Sequence, residues 1–105
     1  GKLIGTIGLH LNKEHQKAEL GYWLGKNFWR KGYLTEALKA VLEFGFKELN
    51  LNKIYATHFL FNPNSGEVML KAGMKFEGLQ KQEYLQHGEF LDVNRYSLLK
   101  QDFKL

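Results

Sequence analysis

The sequence predicts a single α/β domain with a mixed, mostly antiparallel sheet, in the element order ββαβαββ. Two segments with a helical period of apolar residues each lie between β-rich segments. Pairs of neighbouring strands joined by short turns stand at both ends of the chain. The 105 residues are enough for one hydrophobic core but not for two. Because helices separate strands only in the middle of the chain, the order argues against a doubly wound parallel sheet.

Two strands joined by a polar turn open the chain. Residues Leu3–Leu11 alternate in part between apolar and polar side chains. In the second strand, Ala18–Leu24, one phase consists of Ala18, Leu20, Tyr22 and Leu24 and the other of Glu19, Gly21 and Trp23. The segment between the two strands, LNKEHQK, is polar, and so we predict a β-hairpin. Gly21, in the middle of the second strand, indicates a bulge or the close approach of another backbone.

The clearest helix runs from Gly32 to Asn50. Its outward face carries Lys39, Glu43 and Lys47 at i,i+4 spacing, which allows ion pairs along the surface. Its inward face repeats with the helical period and consists of Leu34, Leu38, Val41, Leu42, Gly45, Phe46 and Leu49.

A buried strand and a short helix follow. The stretch Lys53–Phe61 is β-rich and becomes apolar in both phases from Phe59 onward, as in a strand covered on both faces. We predict the helix over Ser65–Ala72, with Asn62 or Asn64 as its N-cap and Gly73 as its end.

Two long strands close the chain. The segments Met74–Gln86 and Glu89–Lys100 flank a turn that contains Gly88, which predicts a second hairpin. Aromatic residues at strand spacing are typical of a core, although they also fit a stacking platform for nucleic acid. We expect them to lie in the core; they are Phe59, Phe61, Tyr84, Phe90 and Tyr96.

The composition excludes several classes of protein. The chain has no cysteine, which excludes disulfides, thiolate catalysis and cysteine-ligated zinc, and fits a reducing, cytoplasmic compartment. No apolar run is long enough to span a membrane. The four histidines lack the HxxxH or HExxH spacing, so no metal site is expected, and neither serine lies in a GxSxG elbow. The net charge of +4 fits a lysine-rich surface, an anionic ligand or nucleic acid.

The segment WRKGYLTEA places two cations and a glycine directly before the long helix. The first turn of a helix has backbone N–H groups without partners and the positive end of the helix dipole, which together favour a phosphate. The residues alone also fit an ordinary turn with solvated cations. If the segment binds a phosphate, the predicted site consists of Arg30, Lys31, Gly32, Tyr33, Leu34 and Thr35. Neither GxxxxGK[ST] nor GxGxxG is present, which argues against P-loop and dinucleotide sites.

The wider pattern resembles the GNAT N-acetyltransferase superfamily. The segments that carry the resemblance are AELGYWLG, WRKGYLTEAL, NPNSGEVMLKAGMKFEG and HGEFLDVNRYSLLKQDF. Within the superfamily, the sequence is most similar to the branch that acetylates the N-terminal alanine or serine of ribosomal proteins. The resemblance implies a GNAT-like fold without its first strand and two helices. It also implies acetyl-CoA as the acyl donor and a protein N-terminus or a small amine as the acceptor.

The resemblance implies a cofactor-binding set in this sequence. The family binds the CoA pyrophosphate with a Q/R-x-x-G-x-G/A loop, where Asn27 and Arg30 stand at the first position and the first glycine. Only Gly32, at the second glycine, matches. A splayed strand of the family pairs with the pantetheine arm, and its counterpart here comprises Leu20, Tyr22 and Leu24.

The resemblance also implies candidates for proton transfer. Asn62 and Ser65 match the N-x-x-S that opens the second helix beside the thioester, which adds both residues to the cofactor-binding set. Ser65 is also a candidate acid for the leaving thiolate. Many relatives have a tyrosine further along that helix, where Met69 stands here. Glu19 lies on the strand where some members carry a general base. An exposed strand glutamate and an ordinary helix-start serine remain the alternatives for Glu19 and Ser65.

Three functions follow as hypotheses: an acetyl-CoA-dependent N-acetyltransferase, a non-catalytic acyl-CoA-binding module, and a basic nucleic-acid-binding domain. The first is favoured over the other two. Because the family has further elements before the point where this chain begins, we expect exposed apolar surface here. We also expect the chain to form a homodimer, to exchange an element, or to be part of a longer protein.

Overall fold

A computed structural model describes residues 5–24, 33–60 and 63–103. Two helices lie on one face of a five-stranded sheet, and one further turn of 3₁₀ helix follows the last strand. The strands are β1 (Gly5–Asn12), β2 (Lys17–Leu24), β3 (Lys53–Phe59), β4 (Lys75–Gln86) and β5 (Glu89–Leu99), and the helices are α1 (Tyr33–Lys47) and α2 (Pro63–Lys71). The predicted element order ββαβαββ is therefore confirmed.

The sheet has the spatial order β1-β2-β3-β5-β4. Three of its four pairings are antiparallel, and only β2 and β3 run parallel. The parallel pair is the place where α1 crosses between strands, as a parallel connection requires. The predicted mixed, mostly antiparallel sheet is confirmed.

The core lies between the two helices and the sheet. Leu38 and Leu42 of α1 are completely buried, as are Ile54 and Ala56 of β3 and Met69 of α2. The helices approach the sheet closely at two glycines. A Cβ atom at Gly45 would lie 2.7 Å from Ile54 Cδ1, and one at Gly66 would lie 2.8 Å from Tyr96 Oη. The face that carries α1 and α2 is called the helix face below.

The long helix ends earlier than predicted. It stops at Lys47 rather than Asn50, and the chain then turns through Asn50, whose φ of 54° is in the left-handed region. Leu51 N–H closes the turn by donating to Gly45 O at 3.0 Å. Leu49 was expected on the apolar face but lies beyond the helix and is exposed. The predicted first residue, Gly32, lies outside the described residues.

The second helix begins two residues before the predicted Ser65. Pro63 is its first residue, a position that suits proline because no intrahelical N–H bond is needed there. Asn64 therefore lies inside the helix and is not its N-cap, while Asn62 lies outside the described residues. Gly73 has a φ of 100° and ends the helix as predicted.

The first hairpin has no bulge at Gly21. The register between β1 and β2 is continuous, and Gly21 pairs directly with Gly8. The predicted bulge is wrong at this pair of strands. Leu60, which was expected in a strand covered on both faces, follows β3 and is exposed.

The second hairpin is confirmed, with His87 and Gly88 in its turn, both at positive φ. Tyr96 is buried as expected, but Tyr84 and Phe90 are 38% and 63% exposed, so their expected place in the core is wrong. The predicted exposed apolar surface is found on this hairpin. Phe76, Leu79, Leu85 and Phe90 are all more than 40% exposed.

Candidate active site

The most distinctive feature of the sheet is the point where β2 and β3 part. Their parallel pairing covers only Lys17–Glu19 of β2 against Lys53–Tyr55 of β3. Beyond it, β2 continues to Leu24 in the ladder with β1, and β3 continues to Phe59 in the ladder with β5. Within the described residues, no ladder pair joins β2 to β3 after Glu19. The two strands thus leave a gap between two neighbouring backbones.

The predicted strand residues Leu20, Tyr22 and Leu24 all lie on the β2 side of this gap. Leu20 is 3% exposed and belongs to the core, so its side chain is not available to a ligand. On this stretch of β2, some backbone N–H and C=O groups point toward β3, and the gap leaves these groups available to a ligand. Such groups are hydrogen-bonding partners for an extended chain that carries amides.

After Leu24, the next described residue is Tyr33, where the long helix α1 begins. Tyr33, Leu34 and Thr35 form the first turn of α1, whose N–H groups have no acceptor four residues earlier within the helix. Leu34 is buried among core residues, and Thr35 is half-buried. The predicted loop residues Arg30, Lys31 and Gly32 lie outside the described residues.

The second helix begins beside the end of β3. Gly66 is the contact point, since a Cβ atom there would lie 2.9 Å from His58 Nε2 and 2.8 Å from Tyr96 Oη. His58 and Tyr96 stack with ring centroids 5.6 Å apart. The predicted acid Ser65 precedes this contact in the first turn and is half-buried. Met69, at the position where many relatives have a tyrosine, is fully buried in the core.

Glu19 lies on the other face of the sheet, here called the far face. The far face is defined by side chains that alternate with the core residues of their strands: Lys17, Glu19, Lys53, Tyr55, Glu77 and Arg95. Tyr84 Oη donates a hydrogen bond to Glu19 Oε2 at 3.2 Å. Glu19 is half-buried and stands at the last paired position before β2 and β3 part. The predicted base therefore lies at the entrance of the gap.

Tyr55 is the partner of Glu19 in the parallel ladder. Burial raises the pKa of its phenol, and the negative charge of Glu19 raises it further, while Arg95 acts in the opposite direction. The Arg95 guanidinium lies 3.9 Å from the centre of the Tyr55 ring, and Lys17 Nζ lies 5.9 Å from it. Two cations thus lie near the ring of the neutral phenol.

A carboxylate of β4 ties three strands together on the far face. Glu77 Oε2 accepts a hydrogen bond from Lys53 Nζ at 3.0 Å, and its Oε1 accepts one from Arg95 Nε at 3.1 Å. Burial acts to raise the pKa of Glu77, but the hydrogen bonds and charges of Lys53 and Arg95 outweigh it and lower the pKa. Glu77 is therefore ionised at neutral pH.

The structure brings some of the predicted residues together and separates others. Glu19 and the open stretch of β2 lie on one strand, at the gap. Ser65 belongs to a helix on the helix face, whereas Glu19 points to the far face. The sequence reasoning missed Tyr84, Tyr55 and Arg95 around Glu19. Strand alternation could have placed Tyr55 and Arg95 on the face of Glu19, but no local pattern predicts the strand order that makes them neighbours.

Among residues 5–24, 33–60 and 63–103, no group of three or more histidine, aspartate or glutamate side chains could hold a metal ion. The same ranges contain no helix with the length and hydropathy needed to cross a bilayer.

Known proteins are similar to this chain in both sequence and fold. The model of the acetyltransferase (GNAT) domain family matches residues 1–75. The uncharacterized N-acetyltransferase YoaA of Bacillus subtilis is 40% identical over 100 residues, which cover 94% of this chain and 56% of that protein. The crystal structure of a probable acetyltransferase is 36% identical and superposes with a TM-score of 0.90, covering 98% of this chain and 59% of the other.

Relatives with named acceptors are more distant. The ribosomal-protein-serine acetyltransferase of Escherichia coli is 30% identical over 91% of this chain and 54% of its own length. The spermidine N(1)-acetyltransferase of Vibrio cholerae is 28% identical over 96% of this chain and 59% of its own length. The chain thus spans somewhat more than half the length of the curated relatives it matches. A family model that covers residues 1–75 and a superposition over almost the whole chain agree with the resemblance found in the sequence, and this chain belongs to the GNAT acetyltransferase family.

Proposed function

We propose that this chain is the acyl-CoA-binding part of an N-acetyltransferase, and that residues 1–105 form a single, partial domain. The observation that carries the proposal is the parting of β2 and β3 after Glu19 and Tyr55. It leaves the backbone of Leu20–Leu24 open to a ligand on the side of β3. Acetyltransferases of this family take the acetyl group from acetyl-CoA, whose pantetheine arm carries two amides. That arm is an extended chain of the kind that adds to an open strand edge.

The phosphates of acetyl-CoA would bind at the beginning of α1. The N–H groups of Tyr33, Leu34 and Thr35 belong to the first helical turn, where the helix dipole favours an anion. Arg30 and Lys31 precede them in the sequence and would add positive charge, and Gly32 would let the backbone approach the pyrophosphate. Of Leu34, only the backbone would take part, because its side chain is buried.

The reaction would be a direct transfer. The nitrogen of a neutral amine attacks the acetyl carbonyl carbon while a backbone N–H of β2 polarises the carbonyl oxygen. The bond between that carbon and sulfur then breaks, and CoA leaves. The proton lost by the amine passes to Glu19, directly or through one water, and Ser65 would supply a proton to the sulfur. Because Glu19 faces away from the helices, the acceptor would approach from the far face.

The acceptor is a primary amine, either the N-terminus of a protein, such as a ribosomal protein, or a small amine. Relatives of both kinds share this fold region, since one acts on a ribosomal protein and another on spermidine by their names. A panel of peptides with N-terminal alanine or serine, tested beside spermidine, would separate the two classes. Binding of acetyl-CoA without turnover of any amine would instead support a non-catalytic acyl-CoA-binding module.

Calorimetry with acetyl-CoA tests the proposed phosphate site. We expect Gly32→Glu to abolish binding, because the new carboxylate would occupy the position of the phosphates, while the far-UV circular dichroism stays unchanged. Gln86→Glu is the matched control, since it adds the same charge at an exposed position in the second hairpin. Equal affinity of the wild-type protein and Gly32→Glu would refute the assigned loop. A wild-type protein that binds no acetyl-CoA at millimolar concentration would refute the function itself.

The proposed homodimer is open to a separate test. Sedimentation equilibrium of the chain at several concentrations should show a mass above the 12.2 kDa of one copy. A well-behaved monomer that unfolds cooperatively would contradict dimerisation.

A further inference from the structure

The contact between Tyr84 and Glu19 joins two strands that are not neighbours. In the sheet order β1-β2-β3-β5-β4, strands β3 and β5 stand between β2 and β4. Neighbouring strands are about 4.8 Å apart, so in a flat sheet the backbones of β2 and β4 would be separated by about 14 Å. The hydroxyl of Tyr84 nevertheless lies 3.2 Å from Glu19 Oε2. The two long side chains span much of this separation, and the irregular course of β4 bends its far part over the far face toward β2.

Two irregularities in β4 produce this bend. The first lies between Phe76 and Gly78, where Glu77 is an extra residue and Gly78 has a φ of 140°. The second lies between Gln80 and Tyr84, where residues 81–83 stand against the single residue Asp92 of β5. Extra residues of this kind bend a strand and increase its twist.

The second irregularity is held by a specific contact. Gln82 has a φ of 51°, and its backbone N–H donates to Asp92 Oδ1 at 2.8 Å. A left-handed glutamine is uncommon, and the carboxylate of Asp92 gives its N–H an acceptor in place of the interrupted ladder. Tyr84 lies two residues after Gln82 in β4. The position of its side chain is thus set by the backbone of β4 and by the partner strand.

We propose that Tyr84 is a positioning residue for Glu19, the base of the proposed reaction, on which this inference rests. Its hydrogen bond occupies Oε2 and fixes the plane of the carboxylate at the entrance of the gap between β2 and β3. Oε1 and the remaining lone pair of Oε2 then stay open to accept the proton of the amine. A glutamate on an exposed strand otherwise samples several rotamers, and a base must stay within hydrogen-bonding reach of the amine that it deprotonates.

Other charged and titratable groups near Glu19 do not replace this role. Tyr55 is its partner in the ladder, Arg95 and Lys17 face the Tyr55 ring, and His10 is its partner on β1. They set the electrostatic environment of the carboxylate. Among the described residues, it is the Tyr84 hydroxyl that donates a hydrogen bond to a carboxylate oxygen of Glu19 and holds that oxygen in place.

A double-mutant cycle in the complete encoded protein tests the inference. The variants are Glu19→Gln, Tyr84→Phe and the combination of both, each assayed for kcat and for KM with acetyl-CoA and the amine. General-base catalysis contributes on the order of 10² to 10⁴ in rate, so Glu19→Gln should lower kcat by about a hundredfold. Tyr84→Phe should lower kcat about tenfold and leave the KM for acetyl-CoA unchanged. In the Glu19→Gln background, Tyr84→Phe should have almost no further effect.

The cycle separates positioning from a merely structural role. If Tyr84 only attaches the hairpin to the sheet, its removal costs the same factor with or without the Glu19 carboxylate. Full additivity of the two variants, or an unchanged kcat in Tyr84→Phe, would overturn the inference while the proposed function stands. A wild-type protein that binds no acetyl-CoA would instead refute the proposed function, and the role of Tyr84 with it.

Discussion

The ion pairs of Glu77 give a prediction whose size follows from the structure. In Glu77→Gln, the side chain keeps its shape but loses its charge, so both the Lys53 and the Arg95 ion pairs are lost without a cavity. The side chains are about one-quarter to one-third exposed: 27% for Lys53, 33% for Glu77 and 26% for Arg95. Exposed pairs of this kind contribute about 0.2–1 kcal/mol each, and so we expect the loss of both pairs to lower the free energy of unfolding by about 0.4–2 kcal/mol at neutral pH.

The pH dependence of this loss has a definite sign. The pKa of Glu77 is lower in the folded protein than its ordinary value of 4.5, because the hydrogen bonds and charges of Lys53 and Arg95 outweigh the effect of burial. Its contribution to stability is therefore complete above pH 4.5 and is lost as the pH falls through the folded-state pKa. The difference between the wild-type protein and Glu77→Gln should be constant near neutrality and should close in acid.

Urea denaturation at a series of pH values measures this difference, provided that the slope against urea stays the same for both proteins. Glu83→Gln is the matched control, because Glu83 is an exposed glutamate on the same strand. We expect it to change the free energy of unfolding by less than about 0.5 kcal/mol. If Glu77→Gln and Glu83→Gln behave alike at neutral pH, or if the difference for Glu77→Gln persists in acid, the reasoning from the ion pairs is refuted.

Two further predictions concern the helix face. Gly66→Ala would place a Cβ atom 2.8 Å from Tyr96 Oη, and this overpacking costs about 1–3 kcal/mol, of which the better helix propensity returns about 1 kcal/mol. Thermal unfolding should therefore show a net loss of about 0–2 kcal/mol, and a higher Tm than that of the wild-type protein would contradict it. Phe46→Ala removes a buried ring, on a residue that is 1% exposed, whose centroid lies 5.1 Å from that of the Phe103 ring. Urea denaturation should show a loss of about 3–5 kcal/mol in the free energy of unfolding, and a loss below about 1 kcal/mol would show that this end of the core repacks.

The parts of the fold that follow from local pattern could be predicted from the sequence. The apolar period of the long helix placed Leu34, Leu38 and Leu42 on its inward face, and all three are buried. Burial of one helical stripe is visible in a sequence because its spacing depends on the helix alone. The turn at Gly88 could also be predicted from the sequence, because it requires a residue in the left-handed conformation.

The errors arose where the backbone departs from a regular period. The helix ended early because Asn50 adopts a left-handed conformation, which a periodic pattern does not show. Tyr84 and Phe90 were expected in the core because strand alternation was extended through β4 and β5. The single extra residue Glu77, between Phe76 and Gly78, changes the phase of β4, so Tyr84 no longer lies on the face that an unbroken alternation from Phe76 would give it.

The candidate site could be predicted only in part for a related reason. Glu19 and the open stretch of β2 were identified through the family resemblance. The parting of β2 from β3 and the arrival of Tyr84 at Glu19 depend on strand order and register. Those are properties of distant pairs of segments, and a single sequence carries no direct record of them.

The two faces of the sheet are expected to respond differently to substitution. On the helix face, side chains such as Phe46 are packed among others, so their removal lowers stability and affects the site only through it. On the far face, Glu77 and Tyr84 belong to the same bent strand but make different contacts, one with two cations and the other with the proposed base. Glu77→Gln should therefore lower stability and change kcat little, whereas Tyr84→Phe should do the reverse. A pair of variants on one strand that separates stability from rate in this way would show that the bend in β4 serves the site as well as the fold.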